Sequence, residues 1–254
     1  MRTVSVVTIG LNALEGLRST IGSVLGQSSR ADEYILVDGG STDGSVDLLR
    51  DVHRENPSVT VVSEPDRGIA DAMNKGLRLA SGEWVCHLHA GDAFHDPLVL
   101  EEVRRTLAET SAGFVYAACR YVDEQGRPIR DWDPPKYDAR RLGIRNFIPH
   151  PTVFFRRDLM EQLGGFDSGV RIAMDYDLWL RASKAGIHGE KIQRIVADVL
   201  DGGLSADRWK MLMDDRRVRL RNLPKGPFGR SLDYGITVAR YLKNRSKETR
   251  SHAS

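Results

Sequence analysis

The first ninety residues alternate short apolar runs with segments of helical periodicity. In those segments apolar residues recur every three or four positions, over Leu14–Leu25, Val46–Val52 and Met73–Ala80. Each apolar run is rich in β-branched or aromatic residues and has the length of a buried strand: residues 4–9, 33–38, 59–64 and 83–89. Strand and helix therefore alternate with short connections, which predicts parallel βαβ units and an open α/β sheet.

The second half of the chain is less regular. Apolar runs at residues 113–118 and 152–157 predict two more strands. Residues 123–151 are rich in proline, glycine and charge, and they predict a long loop or lid. The segment MDYDLWLRASKAG, residues 174–186, predicts an amphipathic helix that ends at its glycine.

Charge is distributed unevenly along the chain. The formal net charge is +2, but residues 205–254 hold 13 Lys and Arg against 5 Asp and Glu. This gives +8 for that segment and, by difference, −6 for residues 1–204. Within the basic segment, residues 205–221 and 229–245 predict two basic amphipathic helices. An acidic body with a basic tail indicates a polyanionic partner for the tail.

Three interpretations of the basic tail remain open at this stage. A solvated helix face is the default, and nucleic-acid binding has no recognised module to support it. The third interpretation is an anionic membrane surface, contacted by the arginines and by apolar side chains. The apolar side chains expected to enter the membrane surface are Leu212, Val218 and Leu220 or Ile236, Val238 and Leu242.

Several protein classes are disfavoured by simple features of the sequence. No run approaches the roughly 20 apolar residues of a membrane-spanning helix, and we interpret MRTVSVVTIG as the first core strand rather than a signal peptide. Cys86 and Cys119 lie in or beside apolar runs without CxxC spacing, as buried reduced thiols of a cytosolic protein do. Gly10 and Gly16 fit neither GxGxxG nor GxxxxGK[ST], which disfavours dinucleotide and P-loop enzymes.

Acidic residues stand at three of the first four predicted strand ends, at Asp38, at Glu64–Asp66 and at Asp92. Ligands of open α/β sheets bind at the carboxyl ends of the strands. The turn VDGGSTDGS after the second strand allows two interpretations: a tight turn with Asp43 as a helix cap, or an acid that binds a ribose or a base imide. Two acids at one strand end favour the second.

The segment SEPDRGIADAMNKG, residues 63–76, concentrates hydrogen-bonding groups at one strand end and helix start. Asp66 and Arg67 follow the strand, and Asp71, Asn74 and Lys75 lie in the first turns of the helix. A ligand that carries phosphate would use Arg67 or Lys75 together with the helix N-terminus.

Six motifs in order resemble the family 2 glycosyltransferases with a GT-A fold, and most closely the bacterial branch that builds exopolysaccharide, lipopolysaccharide or glycolipid sugars. The motifs are VSVVTIGLN, YILVDGGSTDGS, SEPDRGIADAMNKGLRLASGEW, LHAGD, HPTVFFRRDLMEQLGGFD and MDYDLWLRA. The resemblance covers about residues 3–204. The resemblance implies a Rossmann-like, mostly parallel sheet flanked by helices over residues 1–204, with a basic helical extension over residues 205–254.

The resemblance also implies roles for parts of the chain. Residues 1–100 would form the half that binds the nucleotide sugar, and residues 101–204 the acceptor and catalytic half. Thr8 and Asp38 match positions that hold base and ribose, and Asp66 and Arg67 match the pair that closes over the nucleotide sugar. The implied nucleotide-sugar set is Thr8, Asn12, Asp38, Asp66, Arg67, Asp71 and Asn74.

The remaining implied roles concern the metal and the reaction. Asp92 matches the last acid of the DXD motif, which binds Mg²⁺ or Mn²⁺ on the donor diphosphate. Asp175 matches the catalytic base, although Met174 stands where many relatives have a first acid, and Asp177 competes for the assignment. His150 and Asp177 are expected on the acceptor side. The glycine pair in DGGLS, residues 201–205, matches a motif that closes the domain near the donor.

The sequence thus predicts a metal-dependent inverting glycosyltransferase of cell-envelope or exopolysaccharide biosynthesis. The expected donor is a UDP or dTDP sugar, and the expected acceptor is a carbohydrate or a lipid-linked molecule. We expect a cytoplasmic protein with peripheral association at the inner face of the plasma membrane, and no nucleic-acid partner. The alternatives are a nucleotidyltransferase, disfavoured because a GxGTR-like loop is absent, and a non-catalytic sugar-nucleotide or glycan-binding module on the same fold.

Overall fold

The computed structural model describes residues 2–202, 207–224 and 226–251, and it confirms the α/β class. The strands are β1 (Val4–Gly10), β2 (Glu33–Asp38), β3 (Val59–Ser63), β4 (Trp84–His87), β5 (Ala93–Phe94), β6 (Phe114–Val122), β7 (Pro128–Trp132), β8 (Phe154–Arg156) and β9 (Gly189–Leu200). The helices are α1 (Leu14–Leu25), α2 (Ser45–Glu55), α3 (Ile69–Leu79), α4 (Val99–Glu109), α5 (Ala139–Leu142), α6 (Arg157–Gln162), α7 (Met174–Lys184), α8 (Arg208–Asn222) and α9 (Pro227–Ser251).

The strands form one sheet in the order β3-β2-β1-β4-β8-β6-β9-β5, with β7 paired to β6. The first four strands along the chain pair in parallel, as the βαβ pattern predicts. Beyond β4 the sheet is mixed, because β8 runs antiparallel to both β4 and β6. The carboxyl ends of β1 to β4 therefore meet at one edge of the sheet, where the acidic turns lie.

The parallel half reads as continuous apolar runs because helices cover both of its faces. Side chains alternate between faces along a strand, so neighbouring valines of β1 enter different clusters. Val7 packs with Met73 of α3 and Trp179 of α7. Val6 packs on the other face with Leu17 of α1 and with α4.

Two parts of the second half differ from the sequence-based expectation. Residues 123–151 are not one long loop, because β7 pairs with β6 in an antiparallel hairpin and α5 follows it. The twelve residues of β9 were not predicted as a strand, yet they pair in parallel with β6. Both elements depend on pairing with β6, which local periodicity does not encode.

The first helix of the basic tail belongs to the folded body. Leu212 and Val218 of α8 are each 1% exposed, so their assignment to a membrane surface is wrong. They are buried because α8 packs against α7. The boundary between residues 204 and 205 falls within residues 203–206, outside the described residues, as does most of the DGGLS motif.

The second tail helix docks through polar groups. Arg219 of α8 donates hydrogen bonds to Asp233 and Thr237 of α9, and all three side chains are buried. The outward face of α9 instead carries exposed apolar side chains, among them Ile236 and Leu242. In the described part of the chain, no helix has the length and apolar character needed to cross a membrane.

Candidate active site

Asp38 ends β2 and is fully buried. Its Oδ2 atom accepts hydrogen bonds from the backbone N–H groups of Gly40 and Ser41, at 3.0 Å each, and from the Ser63 hydroxyl at 2.7 Å. Burial raises the pKa of this carboxyl, but these bonds outweigh the burial and the pKa is lowered. The Oδ1 atom is buried without a hydrogen-bond partner. Asp38 is thus a rigid carboxylate with one unused acceptor atom.

The turns after β1 and β2 are tied together through Asn12. The side-chain oxygen of Asn12 accepts a hydrogen bond from the Thr42 backbone N–H at 2.8 Å, and the backbone N–H of Asn12 donates to Ser41 Oγ at 2.7 Å. Asn12 adopts a φ of +48°, which asparagine tolerates better than most residues. Thr8, in contrast, is fully buried, and its hydroxyl lies 3.2 Å from that of Tyr34 inside the fold. Its side chain does not join the turn residues.

Asp66 folds back over the turn that follows Asp38. Its Oδ1 atom accepts from the Gly68 N–H at 2.8 Å, and its Oδ2 atom would lie 2.3 Å from a Cβ added at Gly39. Only glycine at position 39 permits this approach. The turns after β2 and β3 therefore bring Asp38 and Asp66 to the same edge, as the sequence predicts.

The start of α3 holds a second group of charges. Asp71 accepts a hydrogen bond from the Arg67 backbone N–H at 3.0 Å, and this bond is the main cause of its lowered pKa. The Arg67 side chain is 91% exposed, with its Nε atom 3.8 Å from the Asp71 carboxylate. Lys75 donates to the Pro65 carbonyl and pairs with Glu64. Arg67 is thus the more exposed of these two cations, and its side chain can extend toward a ligand.

Asn74 is committed to the protein backbone. Its Nδ2 atom donates to the Phe166 carbonyl at 2.7 Å, and its Oδ1 atom accepts from the Phe166 N–H at 2.9 Å. A Cβ added at Gly165 would lie 2.5 Å from that Oδ1 atom. Asn74 therefore joins α3 to the loop before α7, and its amide does not face the other nucleotide-site candidates.

Asp92 lies in the turn after β4, which α1 holds in place. The Thr20 hydroxyl donates to the Asp92 carbonyl at 2.6 Å, and the Gly91 N–H donates to that hydroxyl at 3.0 Å. The Asp92 carboxylate accepts one bond, from the Leu200 N–H at 3.3 Å. Burial raises its pKa to about 7. A nearby cation would stabilise the ionised form of this carboxyl.

The residues around Asp92 fit a cation that is shared with a ligand. Among the described residues, no cluster of three His, Cys, Asp or Glu side chains could hold a metal ion alone. Mg²⁺ commonly takes one or two carboxylates and completes its shell with phosphate oxygens and water. Asp92 matches the carboxylate part of such a set.

Asp175 lies in the first turn of α7. Its Oδ1 atom accepts from the Tyr176 N–H at 2.6 Å, and its Oδ2 atom accepts from Asn146 Nδ2 at 3.2 Å. Burial raises its pKa to about 6. Just before the helix, the N–H groups of Ile172 and Ala173 both donate to Asp214 of α8, at 3.0 Å. Asp214 thus fixes the start of the helix that carries Asp175.

Asp177 lies in the same turn but has a different environment. It is completely buried, and its two oxygens accept from Arg181 Nε at 2.7 Å, Arg221 Nη2 at 2.5 Å and Asn222 Nδ2 at 2.8 Å. Every bond holds α7 to itself or to α8. Asp177 therefore differs from Asp175, because both oxygens of the Asp177 carboxylate are already occupied by hydrogen bonds within α7 and to α8.

His150 belongs to a cluster of three imidazoles. Its ring centroid lies 4.9 Å from that of His89 and 6.2 Å from that of His87, and the ring stacks on Trp179. Burial lowers the pKa of His87 to about 3 and that of His89 to about 4, and it lowers the pKa of His150 well below its usual value. Both nitrogens of His150 and Nε2 of His89 are buried without partners.

Sequence reasoning missed several of these residues. His87 and His89 could have been found, because the spacing of two in HLH places both on one face of a strand. Asn146 lay within the predicted loop and carried no local signal. Asp214 contacts the start of α7 from a helix that was assigned to the tail, so only the packing of α8 reveals it.

Comparison with known proteins adds independent information. A sequence profile described as Glycosyl transferase family 2 matches residues 5–164. An uncharacterized glycosyltransferase of Mycobacterium tuberculosis is 35% identical over 187 residues, covering 71% of this chain and 69% of that protein. A PGL/p-HBAD biosynthesis glycosyltransferase of Mycobacterium bovis is 28% identical over 205 residues, covering 79% and 78%.

Two solved structures share the fold. The TarS fragment of S. aureus in complex with UDP-GlcNAc has a TM-score of 0.70 at 15% identity, covering 92% of this chain and 70% of that one. The mannosyltransferase PcManGT of Pyrobaculum calidifontis, in complex with GDP-Man and Mn²⁺, has a TM-score of 0.64 at 21% identity, covering 87% and 63%. The GT-A prediction is confirmed. The profile spans more than half of the chain, and this protein therefore belongs to glycosyltransferase family 2.

Proposed function

We propose that this protein transfers a sugar, with inversion, from a UDP or dTDP sugar to a hydroxyl of a carbohydrate or lipid-linked acceptor in cell-envelope or exopolysaccharide biosynthesis. The observation that carries the proposal is the half-buried carboxyl of Asp175 at the start of α7, which Asn146 holds in place and whose pKa is raised by desolvation to about 6. Its neighbour Met174 lines the same cavity as Arg67 and Gly68, which follow Asp66. Chain neighbours of the proposed base and of the turn assigned to the nucleotide therefore line one cavity.

The proposed donor site uses the turns after β1, β2 and β3. The unpartnered Oδ1 atom of Asp38 accepts from a ribose hydroxyl or a base N–H. Asp66 lies over the same turn, and the exposed Arg67 guanidinium closes on the nucleotide sugar from outside. TarS and PcManGT, which share the fold, were solved with UDP-GlcNAc and GDP-Man, and this supports a nucleotide-sugar donor here.

The proposed reaction is a single displacement. The acceptor oxygen attacks the anomeric carbon, its proton passes to Asp175, and the bond from that carbon to the diphosphate oxygen breaks. Asn146 orients the base, and Asp177 is withheld from the reaction by Arg181 and Arg221. When bound at Asp92, Mg²⁺ or Mn²⁺ would offset the charge of the leaving diphosphate.

The test is nucleotide release from a panel of nucleotide sugars in the presence of acceptors. We expect Asp175→Asn to reduce kcat about 10²- to 10⁴-fold, the usual effect of losing a general base, with UDP affinity unchanged. Asp47→Asn, at a carboxylate that is 79% exposed on α2, is the control and should behave as wild type. If Asp175→Asn turns over at the wild-type rate, the base is misassigned.

A specific observation supports a second candidate, a non-catalytic sugar-nucleotide or glycan-binding module. Neither acid has a second acid directly before it: Ala90 and Gly91 precede Asp92, and Met174 precedes Asp175. A wild-type protein that binds UDP with Mn²⁺ but turns over no donor in the panel would favour this candidate.

We further propose that α9 attaches the protein to the inner face of the plasma membrane. Leu232, Ile236 and Leu242 are 57%, 41% and 57% exposed and lie on its outward side. The same helix ends in the segment KNRSKETR, which is strongly basic. Exposed apolar side chains on a helix whose sequence is also rich in basic residues are typical of helices that lie on anionic lipid.

A further inference from the structure

A cavity of about 840 Å³ lies between the start of α3, the loop before α7 and α8. One part of its lining comes from residues 67–70, and another part comes from α8, from Lys210 to Arg217. A third part comes from residues 168–172. Its volume is within the usual range of small-molecule sites, roughly 300–1,000 Å³.

The described residues that line this cavity are strongly basic. The only carboxylate among them is Asp214, and one of its oxygens already accepts from two backbone N–H groups. The cationic side chains are Arg67, Arg171, Lys210, Arg216 and Arg217. Five cations against one occupied carboxylate favour an anionic ligand.

Two of these cations are not neutralised within the protein. Three of the five have partners: Arg67 pairs with Asp71, Lys210 with Asp207 and Arg216 with Asp233. The side chains of Arg171 and Arg217 are exposed, and neither side chain makes an ion pair or hydrogen bond within residues 2–202, 207–224 and 226–251. A free guanidinium keeps its planar set of donors for a ligand, and phosphate matches that geometry with two parallel bonds.

The position of the cavity connects it to the reaction. Arg67 and Gly68 line the cavity, and they follow the proposed nucleotide-site residue Asp66 in the sequence. Met174 also lines the cavity, and it is the residue before Asp175 in the sequence. Apolar side chains also reach the lining, including Ile172 and Met213. A molecule with a phosphate at Arg171 and Arg217 would therefore place its non-phosphate part between the nucleotide turn and the base.

We propose that this cavity is an acceptor subsite that binds a phosphate group, so that the substrate glycosylated by this enzyme is a phosphorylated molecule. The inference rests on the proposed function, because it takes the nucleotide turn as the donor end and Asp175 as the base. Arg171 and Arg217 bind the phosphate. A lipid-linked phosphate and a water-soluble sugar phosphate share this chemistry.

The test measures binding to protein saturated with UDP and Mn²⁺, so that the donor diphosphate site is filled. The probes are glycerol 3-phosphate, n-octyl phosphate below its micelle concentration, and the neutral n-octyl glucoside. We expect both phosphates to bind the wild type more tightly than the glucoside. In Arg171→Gln/Arg217→Gln their Kd should rise about tenfold or more, because each lost guanidinium removes a charge-assisted hydrogen bond.

The matched control is Arg50→Gln/Arg105→Gln, which removes two charges at sites 73% and 70% exposed on α2 and α4. Phosphate binding by this control should equal that of wild type, and the Kd of UDP should be unchanged in both double variants. A much tighter Kd for octyl phosphate than for glycerol 3-phosphate supports the lipid-linked source. Similar values support the water-soluble source.

Two results would overturn the inference. Either the UDP-saturated wild type binds the phosphates no better than octyl glucoside, or Arg171→Gln/Arg217→Gln weakens UDP by the same factor as the probes. The second result would assign the cavity to the donor diphosphate. Failure of the proposed function is a separate result: a wild type that binds the phosphate probes but no nucleoside diphosphate with Mn²⁺ keeps the phosphate site and loses its role as an acceptor subsite.

Discussion

The surroundings of the carboxylates shift the pKa in opposite directions at the two ends of the candidate site. Asp38, at the nucleotide end, receives three hydrogen bonds on one oxygen, and its pKa is lowered although it is fully buried. At the reaction end, Asp92 receives one bond of 3.3 Å and Asp175 receives two bonds. Burial raises their pKa values to about 7 and about 6.

This difference matches what each end would do under the proposed function. A recognition group works best when it is charged and immobile before the ligand arrives, and Asp38 meets that condition through its backbone bonds. A general base works best with a pKa near the working pH, which Asp175 approaches through burial. Asp92 carries an ionisation cost that a cation would remove. Under the proposed function, the nucleotide end would be fully ionised and fixed before the donor binds, whereas the reaction end would be completed by its ligands.

The largest effects are expected from substituting one carboxylate at each end, Asp175 or Asp38. Asp175→Asn should act on kcat, as described above, whereas Asp38→Asn should act on donor binding. An amide at position 38 removes the charge that accepts from the ligand, so the Kd of UDP should rise about 10- to 100-fold. The value of kcat at saturating donor should stay within a few-fold of wild type. Isothermal titration and steady-state kinetics separate the two; a large fall in kcat for Asp38→Asn would break the comparison.

Stability should respond in opposite directions at the two ends. The folded pKa of Asp92 lies above its unfolded value of 3.8, so ionisation costs stability as the pH rises from about 4 to about 7, and the cost is complete above pH 7. At pH 8, Asp92→Asn should raise the free energy of unfolding by about 1–3 kcal/mol.

Asp38→Asn is the comparison for Asp92→Asn, with a stability change of the opposite sign expected. The folded pKa of Asp38 is lowered, so its ionised form stabilises the fold above the unfolded pKa, and the contribution is lost as the pH falls through the folded value. Asp38→Asn should therefore destabilise the protein at pH 8, by about 1–2 kcal/mol. Urea unfolding at pH 8 measures both variants. Equal signs for the two substitutions would contradict the distinction between the carboxylates at the two ends.

The nucleotide end was more predictable from sequence than the reaction end, and the reason is physical. Asp38 and Asp66 follow strands whose apolar runs and helical partners are local in the chain, so their meeting at one edge follows from parallel βαβ order. Asp175 depends on Asn146 and Asp214, which lie 29 residues before and 39 residues after it. Contacts between elements so far apart leave no local period to detect.

The tail shows the same limit. Basic amphipathic helices were predicted over residues 205–221 and 229–245, and α8 and α9 lie there. The apolar periodicity predicted that these helices form, but it did not predict which helices they pack against. Leu212 and Val218 face the body rather than solvent because α7 offers a complementary surface. The i, i+4 pair of Asp177 and Arg181 is readable in the sequence, whereas the Arg221 contact that completes it is not.

The pH dependence of Mn²⁺ affinity tests the raised pKa of Asp92 separately from the other carboxylates. Below pH 7 its carboxyl takes up a proton, and the protonated group is a poor ligand, so Mn²⁺ affinity measured with UDP present should fall as the pH falls through about 7. The expected limit is about tenfold for each pH unit below that value. Asp92→Asn should bind Mn²⁺ weakly at every pH and remove the slope. A wild type with flat affinity between pH 5.5 and 8 would exclude this carboxyl as the ligand.

The smallest expected effect concerns the outward face of α9. Leu232→Ser/Ile236→Ser removes two exposed apolar side chains, while the buried Arg219–Asp233 pair that docks the helix is left intact. Partitioning onto vesicles with anionic lipid should fall about tenfold, because the two side chains together contribute roughly 1.4 kcal/mol when they partly enter the lipid surface. The matched control is Leu98→Ser/Ile129→Ser, at side chains 48% and 50% exposed elsewhere on the protein. Equal losses in both double variants would show that general surface hydrophobicity, rather than this helix face, governs the attachment.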